Sequence, residues 1–146
     1  FPTETGRAKF VPCDIIAPDE TPDAEFPLIL TTGRVLEHWH TGAMTRRADV
    51  LDQLEPEATA SISPADLAGL GAAEGDIVRV ETRRGKIEIK VRRDSAIPSG
   101  VVFIPFCYAE AAANLLTNDA LDPFGKIAEV KYCAVRIDKI PQAAAE

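Results

Sequence analysis

Positions 31 to 47 read TTGRVLEHWHTGAMTRR. This stretch holds both histidines of the chain, His38 and His40, its single tryptophan, Trp39, three arginines and two glycines. These residue types offer three kinds of chemistry. Glycines let the backbone approach a ligand closely and free amide N–H groups to point at an anion. Hydroxyls (Thr31, Thr32, Thr41, Thr45) and guanidinium forks (Arg34, Arg46, Arg47) suit phosphate oxygens. An indole and two imidazoles can stack on, or hydrogen-bond to, a flat heterocycle. A ligand that joins a ring system to a diphosphate would use all three.

Plainer roles compete for the same residues. His38 and His40 have the spacing of half a metal site, but no third ligand is placed to complete it. Trp39 could anchor the core, and Arg46 and Arg47 could be surface charge. No nucleophile elbow is present, and Cys13, Cys107 and Cys133 lie far apart without a CxxC pair. They read as reduced, mostly buried thiols. No catalytic residue and no metal ligand is assigned.

The elements that must position this segment are short. FPLILTT, 26 to 32, is a buried strand that Gly33 ends, and the segment follows as a loop. ADVLDQLEP, 48 to 56, is a weak helical turn stopped by Pro56, and ATASI, 58 to 62, is a strand. SPADLAGLG, 63 to 71, carries Ser63 as a cap, Pro64 at the first helical position, Asp66 in the first turn and Gly71 to close in a left-handed conformation. In IVRVETRRGKIEIKVRR, apolar and charged residues alternate on both sides of Arg84-Gly85, which predicts a hairpin with one face inward. VVFIPF, 101 to 106, is a strand; AEAAANLLTN, 109 to 118, has helical composition; KYCAVRI, 131 to 137, is a last strand; 141 to 146 is a frayed tail. Some six short strands with two or three small helices, and no β–α alternation, predict a mainly β barrel.

Composition narrows the partners. A chain of 146 residues fits one domain. Its net charge of −7, without basic blocks, argues against nucleic acid as the main partner. No apolar run approaches the roughly 18 residues of a membrane span, and FPTETGRAKF lacks a secretory layout. There is no initiating Met, and residues 1 to 25 are a Pro- and acid-rich lead-in. The expectation is a piece cut from something larger, with 26 to 140 as its barrel domain.

TTGRVLEHWHTGAMTRR, followed by ISPADLAGLGAAEGDIVRVETRRGKIEIKV, GVVFIPFCYAEAAANLLTNDALDP and EVKYCAVRI, resembles the C-terminal molybdopterin-dinucleotide-binding domain of molybdenum or tungsten oxidoreductases. Residues 1 to 12 resemble the linker that precedes such domains. The segment from 109 to 135 looks most like a formate dehydrogenase α-subunit, with nitrate reductase the alternative.

The resemblance implies a double-psi β-barrel and a bis(molybdopterin guanine dinucleotide) cofactor with Mo or W. By motif, Thr32, Gly33, Arg34, Val35, Leu36, Glu37, His38, Trp39, His40 and Thr41 would line the pterin and its diphosphate, with Met44 and Thr45 beside them. Asn114 and Lys131 match family positions that meet the cofactor, and Phe106 one near the substrate funnel. Cys107 stands where relatives often carry His, a departure from the family pattern. The metal-ligating residue and any iron–sulfur cluster would lie in upstream domains of the same polypeptide, so the fragment alone would be inactive. Electron-transfer subunits are further expected partners, in the cytoplasm or alternatively the periplasm. A stand-alone double-psi barrel serving as an interaction module is the competing reading.

Overall fold

Alternation decides the clearest element of the computed structural model, which describes residues 1 to 140. In β3 (Ile77–Glu81) and β4 (Lys86–Arg93), Val78, Val80, Ile87, Ile89 and Val91 are buried, while the residues between them face outward. Antiparallel pairing sets Val78 opposite Ile89 and Val80 opposite Ile87. Each such side chain taken from water contributes about 1.5–3 kcal/mol, so a register slip that turned this face outward would forfeit the core.

The remaining strands are β1 (Leu28–Gly33), β2 (Thr59–Ile62), β5 (Val101–Pro105) and β6 (Cys133–Lys139). They close in the order β1-β5-β2-β4-β3-β6. Two pairs are parallel, β1 with β5 and β2 with β4; the other four are antiparallel. Exchanging β1 with β4, β2 with β5 and β3 with β6 leaves this pairing scheme unchanged. The barrel is therefore two interlocked halves, the double-psi arrangement.

Two α-helices accompany it: α1 (Asp49–Leu54) packs beside the 3₁₀ turn Thr45–Arg47, and α2 (Pro64–Leu70) packs on β6 with Leu67 buried. Ser63 Oγ accepts the Asp66 N–H at 3.1 Å, and Gly71 closes α2 at φ 65°. A residue with a Cβ would be strained at that φ, which is why the helix stops there.

Two sequence expectations need correction. The stretch 109 to 118 is not a helix but two 3₁₀ turns, Ala109–Ala111 and Ala113–Leu115, split by an extended Ala112. Tertiary hydrogen bonds override its helical composition: the Leu116 carbonyl accepts from Thr82 Oγ1 at 2.9 Å and from the Cys133 thiol at 3.5 Å. The last strand starts at Cys133, so Lys131 lies in a turn before it and Tyr132 links the two. The Tyr132 carbonyl is taken by the Asn118 side chain, and the Lys131 side chain folds back onto β1. The tail expected at 141 to 146 lies outside the described residues.

The lead-in is exposed through residue 17 and anchored beyond it. Glu20 pairs with Arg84 and accepts the Ala134 N–H at 2.7 Å, while Asp23 pairs with Arg83 and caps the amides of Glu25 and Phe26. Phe26 is buried beneath the guanidinium groups of Arg83 and Arg136. No helix among the described residues is long and apolar enough to cross a membrane.

Candidate functional site

Because β1 and β5 run parallel with Gly33 opposite Pro105, both strands end on one side of the barrel. Arg34 and Phe106 leave those ends side by side, and the Phe106 N–H donates to the Gly33 carbonyl at 3.1 Å. Here a cleft of about 580 Å³ is lined by Arg34, His40, Thr41, Phe106, Asn114, Val130 and Lys131. Segments distant in sequence thus meet at one barrel end. The resemblance assigns Arg34, His40, Thr41, Asn114 and Lys131 to the cofactor and Phe106 to the neighbourhood of a substrate funnel; Val130 was not expected.

The cleft carries positive charge on a chain of net charge −7. Arg34 and Lys131 supply two cations, and none of the lining residues is acidic. Lys131 Nζ donates to the Thr32 carbonyl at 2.6 Å and lies 5.5 Å from the centre of the Phe106 ring. Arg34 stacks over Trp39 at 5.4 Å. The His40 ring lies against Phe106 with centroids 5.4 Å apart. His40 also sits at φ 53°, a conformation unusual for a residue with a Cβ and concentrated at functional positions. Donors of three kinds therefore face one space: guanidinium and ammonium for anionic oxygens, an amide and a hydroxyl from Asn114 and Thr41, and an imidazole.

Other residues of the predicted segment lie elsewhere. His38 is 1% exposed and turned inward. Its Nε2 carries the proton, because the partner at 2.8 Å is the Glu55 carbonyl, which can only accept. The ring meets Tyr108 edge-on at 5.6 Å, and the Tyr108 hydroxyl donates to the same carbonyl at 2.8 Å. Burial pushes the Tyr108 phenol well above its usual range, so it remains a donor. His38 Nδ1 finds no hydrogen-bond partner among the described residues.

Arg46 is engaged within the protein through four of its five donors. It bonds Asp52 at 3.0 Å, Glu110 at 2.6 and 2.8 Å and the Pro56 carbonyl at 3.3 Å, and lies over the Tyr108 ring. Arg47 is exposed. Gly33 leaves room for Phe103: a Cβ there would stand 3.0 Å from Phe103 Cζ and closer to Cε2. Thr32 is buried and Val35 packs on the core, while Glu37 is half-buried. Thr45 Oγ1 accepts the Trp39 N–H at 3.0 Å. Leu36, Trp39 and Met44 face solvent, at 97%, 63% and 69% exposure.

Cys107 and Cys133 are buried, Cys13 is exposed, and all three are free. Burial pushes the Cys107 thiol up, away from a reactive thiolate. Cys107 lines a hollow of about 220 Å³ that shares Thr41, Phe106 and Asn114 with the main cleft. A hollow of about 440 Å³ lies at the opposite end of the same strand pair, beside Leu28 and Val101. Two of its charged groups already have partners: Asp66 accepts from Ser63, Ser99 and the Gly100 amide, and Arg136 pairs with Glu81 at 3.0 Å. Among the described residues no group of three or more His, Cys, Asp or Glu could hold a metal ion.

Sequence reasoning missed Val130, Phe103, and the carbonyl node of Glu55 that His38 and Tyr108 share. No local pattern signals a shared backbone acceptor.

Similarity to known proteins identifies the family of the chain. A family described as "Molydopterin dinucleotide binding domain" matches residues 28 to 134. The chain is 46% identical over 140 residues to the F420-dependent formate dehydrogenase subunit alpha of Methanocaldococcus jannaschii, covering 96% of this chain and 21% of that protein. It is 43% identical over 138 residues to the F420-dependent formate dehydrogenase 1 subunit alpha of Methanococcus maripaludis, covering 94% and 20%. The chain thus spans about a fifth of these relatives. Among solved structures, acetylene hydratase from Pelobacter acetylenicus superimposes with a TM-score of 0.71 at 23% identity, over 80% of this chain and 19% of that one. That likeness concerns the fold.

Proposed function

The chain belongs to the molybdopterin dinucleotide binding domain family, and from that premise we propose that the cleft at the ends of β1 and β5 holds the diphosphate and adjoining ring of such a cofactor. One observation carries the reading: Arg34 and Lys131 converge there with Asn114, His40 and Thr41, and no acid lines the space. That donor set fits an anionic, elongated ligand with a flat heterocycle.

The roles follow from each side chain. Arg34 offers a planar fork to phosphate oxygens, and Lys131 a point charge held in place by the Thr32 carbonyl. Asn114 and Thr41 supply neutral hydrogen bonds that fix orientation. His40, tilted on Phe106, presents its imidazole to a ring or a ring substituent. Thr32, Gly33, Val35 and His38 act from beneath, holding the loop to the barrel. Leu36, Glu37, Trp39, Met44 and Thr45 form the outer side of the same loop, whose exposed apolar side chains suit contact with another part of the polypeptide.

When bound, the cofactor with its Mo or W supplies two-electron redox chemistry, and the protein supplies binding, orientation and exclusion of water. The parent polypeptide is proposed to be of the formate dehydrogenase type, oxidising formate to carbon dioxide with release of a proton and two electrons. The support is 43–46% identity to alpha subunits of that name over nearly the whole chain. Because the chain spans only about a fifth of them, the metal-ligating residue and any iron–sulfur cluster are assigned to upstream domains. Electron-transfer subunits would be partners of the whole.

The direct test is titration of the chain with isolated molybdopterin guanine dinucleotide, followed by pterin fluorescence and by chemical shifts. Saturable binding that shifts Arg34, His40, Asn114 and Lys131 and weakens with salt is expected. Absence of binding, or shifts at the hollow beside Leu28 and Val101 instead, would overturn the reading. Formate oxidation by the full-length polypeptide tests the activity separately.

A further inference from the structure

Asn118 does not line the cleft, yet its buried amide is almost fully used. Nδ2 donates to Glu129 Oε2 at 2.8 Å and to the Tyr132 carbonyl at 3.0 Å, and Oδ1 accepts the Ala120 N–H at 3.0 Å. Both donors and one of two acceptor positions are therefore occupied. The partners themselves define the orientation of the amide, since two of them can only accept and one can only donate.

Those partners lie on either side of the cleft wall. Glu129 and Tyr132 bracket Val130 and Lys131, while Asn118 follows Asn114 in the segment that begins with the second 3₁₀ turn. The amide therefore ties the turn carrying Lys131 to the segment carrying Asn114. A second tie supports it at Leu116, whose carbonyl accepts from Cys133 on one side and from Thr82 in the β3–β4 turn on the other. Gly85, in that same turn, lies so close that a Cβ would stand 2.8 Å from the Leu115 carbonyl oxygen. The Asn114 segment thus rests on the hairpin turn and is cross-braced by Asn118.

We infer that Asn118 is a positioning residue that sets the separation of Asn114 and Lys131 across the cleft, and through it the affinity for the ligand. The identity of that ligand rests on the cofactor reading above; the brace itself does not. Asn118 offers two donors that an aspartate of the same shape lacks, so the two residues are not interchangeable.

Three variants of the chain test this: Asn118→Asp, which loses both donors; Glu129→Ala, which loses one acceptor; and Glu129→Gln, which keeps an acceptor and should behave as the unaltered protein. Amide exchange, thermal unfolding and binding of molybdopterin guanine dinucleotide are measured on each. Asn118→Asp should speed exchange in 112–120 and 129–133 by about tenfold or more and weaken binding by about tenfold. Protection in the β3–β4 hairpin should stay as in the unaltered chain. Glu129→Ala should fall between, and it remains informative where Asn118→Asp fails to fold.

Loosening spread evenly over hairpin and cleft, in proportion to lost thermal stability, would make Asn118 merely structural and overturn the proposal. Unchanged cleft exchange in Glu129→Ala, or unchanged binding in a variant whose cleft has loosened, would overturn it too. If the unaltered chain does not bind the dinucleotide while the variants still loosen only the cleft, the cofactor reading fails and the brace stands.

Discussion

The ammonium of Lys131 donates to the Thr32 carbonyl at 2.6 Å, and the Thr32 hydroxyl donates back to the Val130 carbonyl at 2.7 Å. The end of β1 and the turn before β6 therefore hold each other reciprocally, and the clamp sets a cation at the edge of the cleft. Lys131→Ala should weaken binding of the dinucleotide by about tenfold or more, as expected for a charge-assisted hydrogen bond, while stability changes by about 1 kcal/mol or less. Thr32→Val should do the reverse, costing about 1–2 kcal/mol of stability by leaving a carbonyl unpaired. Titrations at two salt concentrations, with unfolding curves for each variant, check both.

His38 and His40 should separate cleanly by experiment. His38→Phe removes the bond to Glu55 and should cost about 1–3 kcal/mol in denaturant unfolding with little loss of affinity for the dinucleotide. His40→Gly relieves a left-handed backbone conformation, worth about 1 kcal/mol. It should keep or raise stability while lowering affinity. Matching losses in both variants would contradict the division between an inward and an outward histidine.

Gly33→Ala places a methyl group against the Phe103 ring. Overpacking of this kind costs about 1–3 kcal/mol. A second substitution, Phe103→Leu, should recover part of that loss although it destabilises the parent chain alone. A double-mutant cycle by urea unfolding measures the coupling.

Acid should weaken the anchor of the lead-in. Burial alone would raise the Glu20 carboxyl, but hydrogen bonds from Arg84 and the Ala134 amide, with the charges of Arg84 and Arg83, outweigh it and hold it below the ordinary carboxylate range. A group depressed in the folded state stabilises fully above its unfolded pKa, about 4.3 for a glutamate. That stability is lost as pH falls through the lower, folded value. Melting temperatures should therefore be level from pH 7 to about 5 and drop below it. Glu20→Gln should lower the plateau, by on the order of 1 kcal/mol, and flatten the acid limb.

Without its ligand the cleft loop should exchange faster than the barrel. Residues 34 to 41 are mostly exposed and outside regular structure, whereas Val78, Val80, Ile89 and Val91 are buried in paired strands. Amide exchange of the chain alone should differ by about a hundredfold or more between the two regions, and adding the dinucleotide should slow the loop selectively. Equal protection in both would argue against a ligand-ordered loop.

The last strand and the stretch from Ala109 to Asn118 mark where local reading failed. Alanine-rich composition favours a helix in isolation, but the Leu116 carbonyl is claimed by Thr82 and Cys133, so the segment breaks into 3₁₀ turns. Lys131 looked like strand, yet it turns back to β1 because its ammonium finds the Thr32 carbonyl there. Both outcomes depend on partners distant in the chain.

From its sequence alone, this protein was determined to have the alternating hairpin of β3 and β4, the capped helix α2, and a loop rich in donors and rings. Periodicity and caps are local, so residue order suffices to specify them. Which of those loop residues face the cleft was decided only by tertiary structure. His38 and His40 stand two positions apart in an aperiodic segment, and contacts with Glu55 and Tyr108 draw one inward while Phe106 receives the other. No spacing rule governs such a loop, because the direction of each side chain is set by the surfaces the closed barrel brings against it.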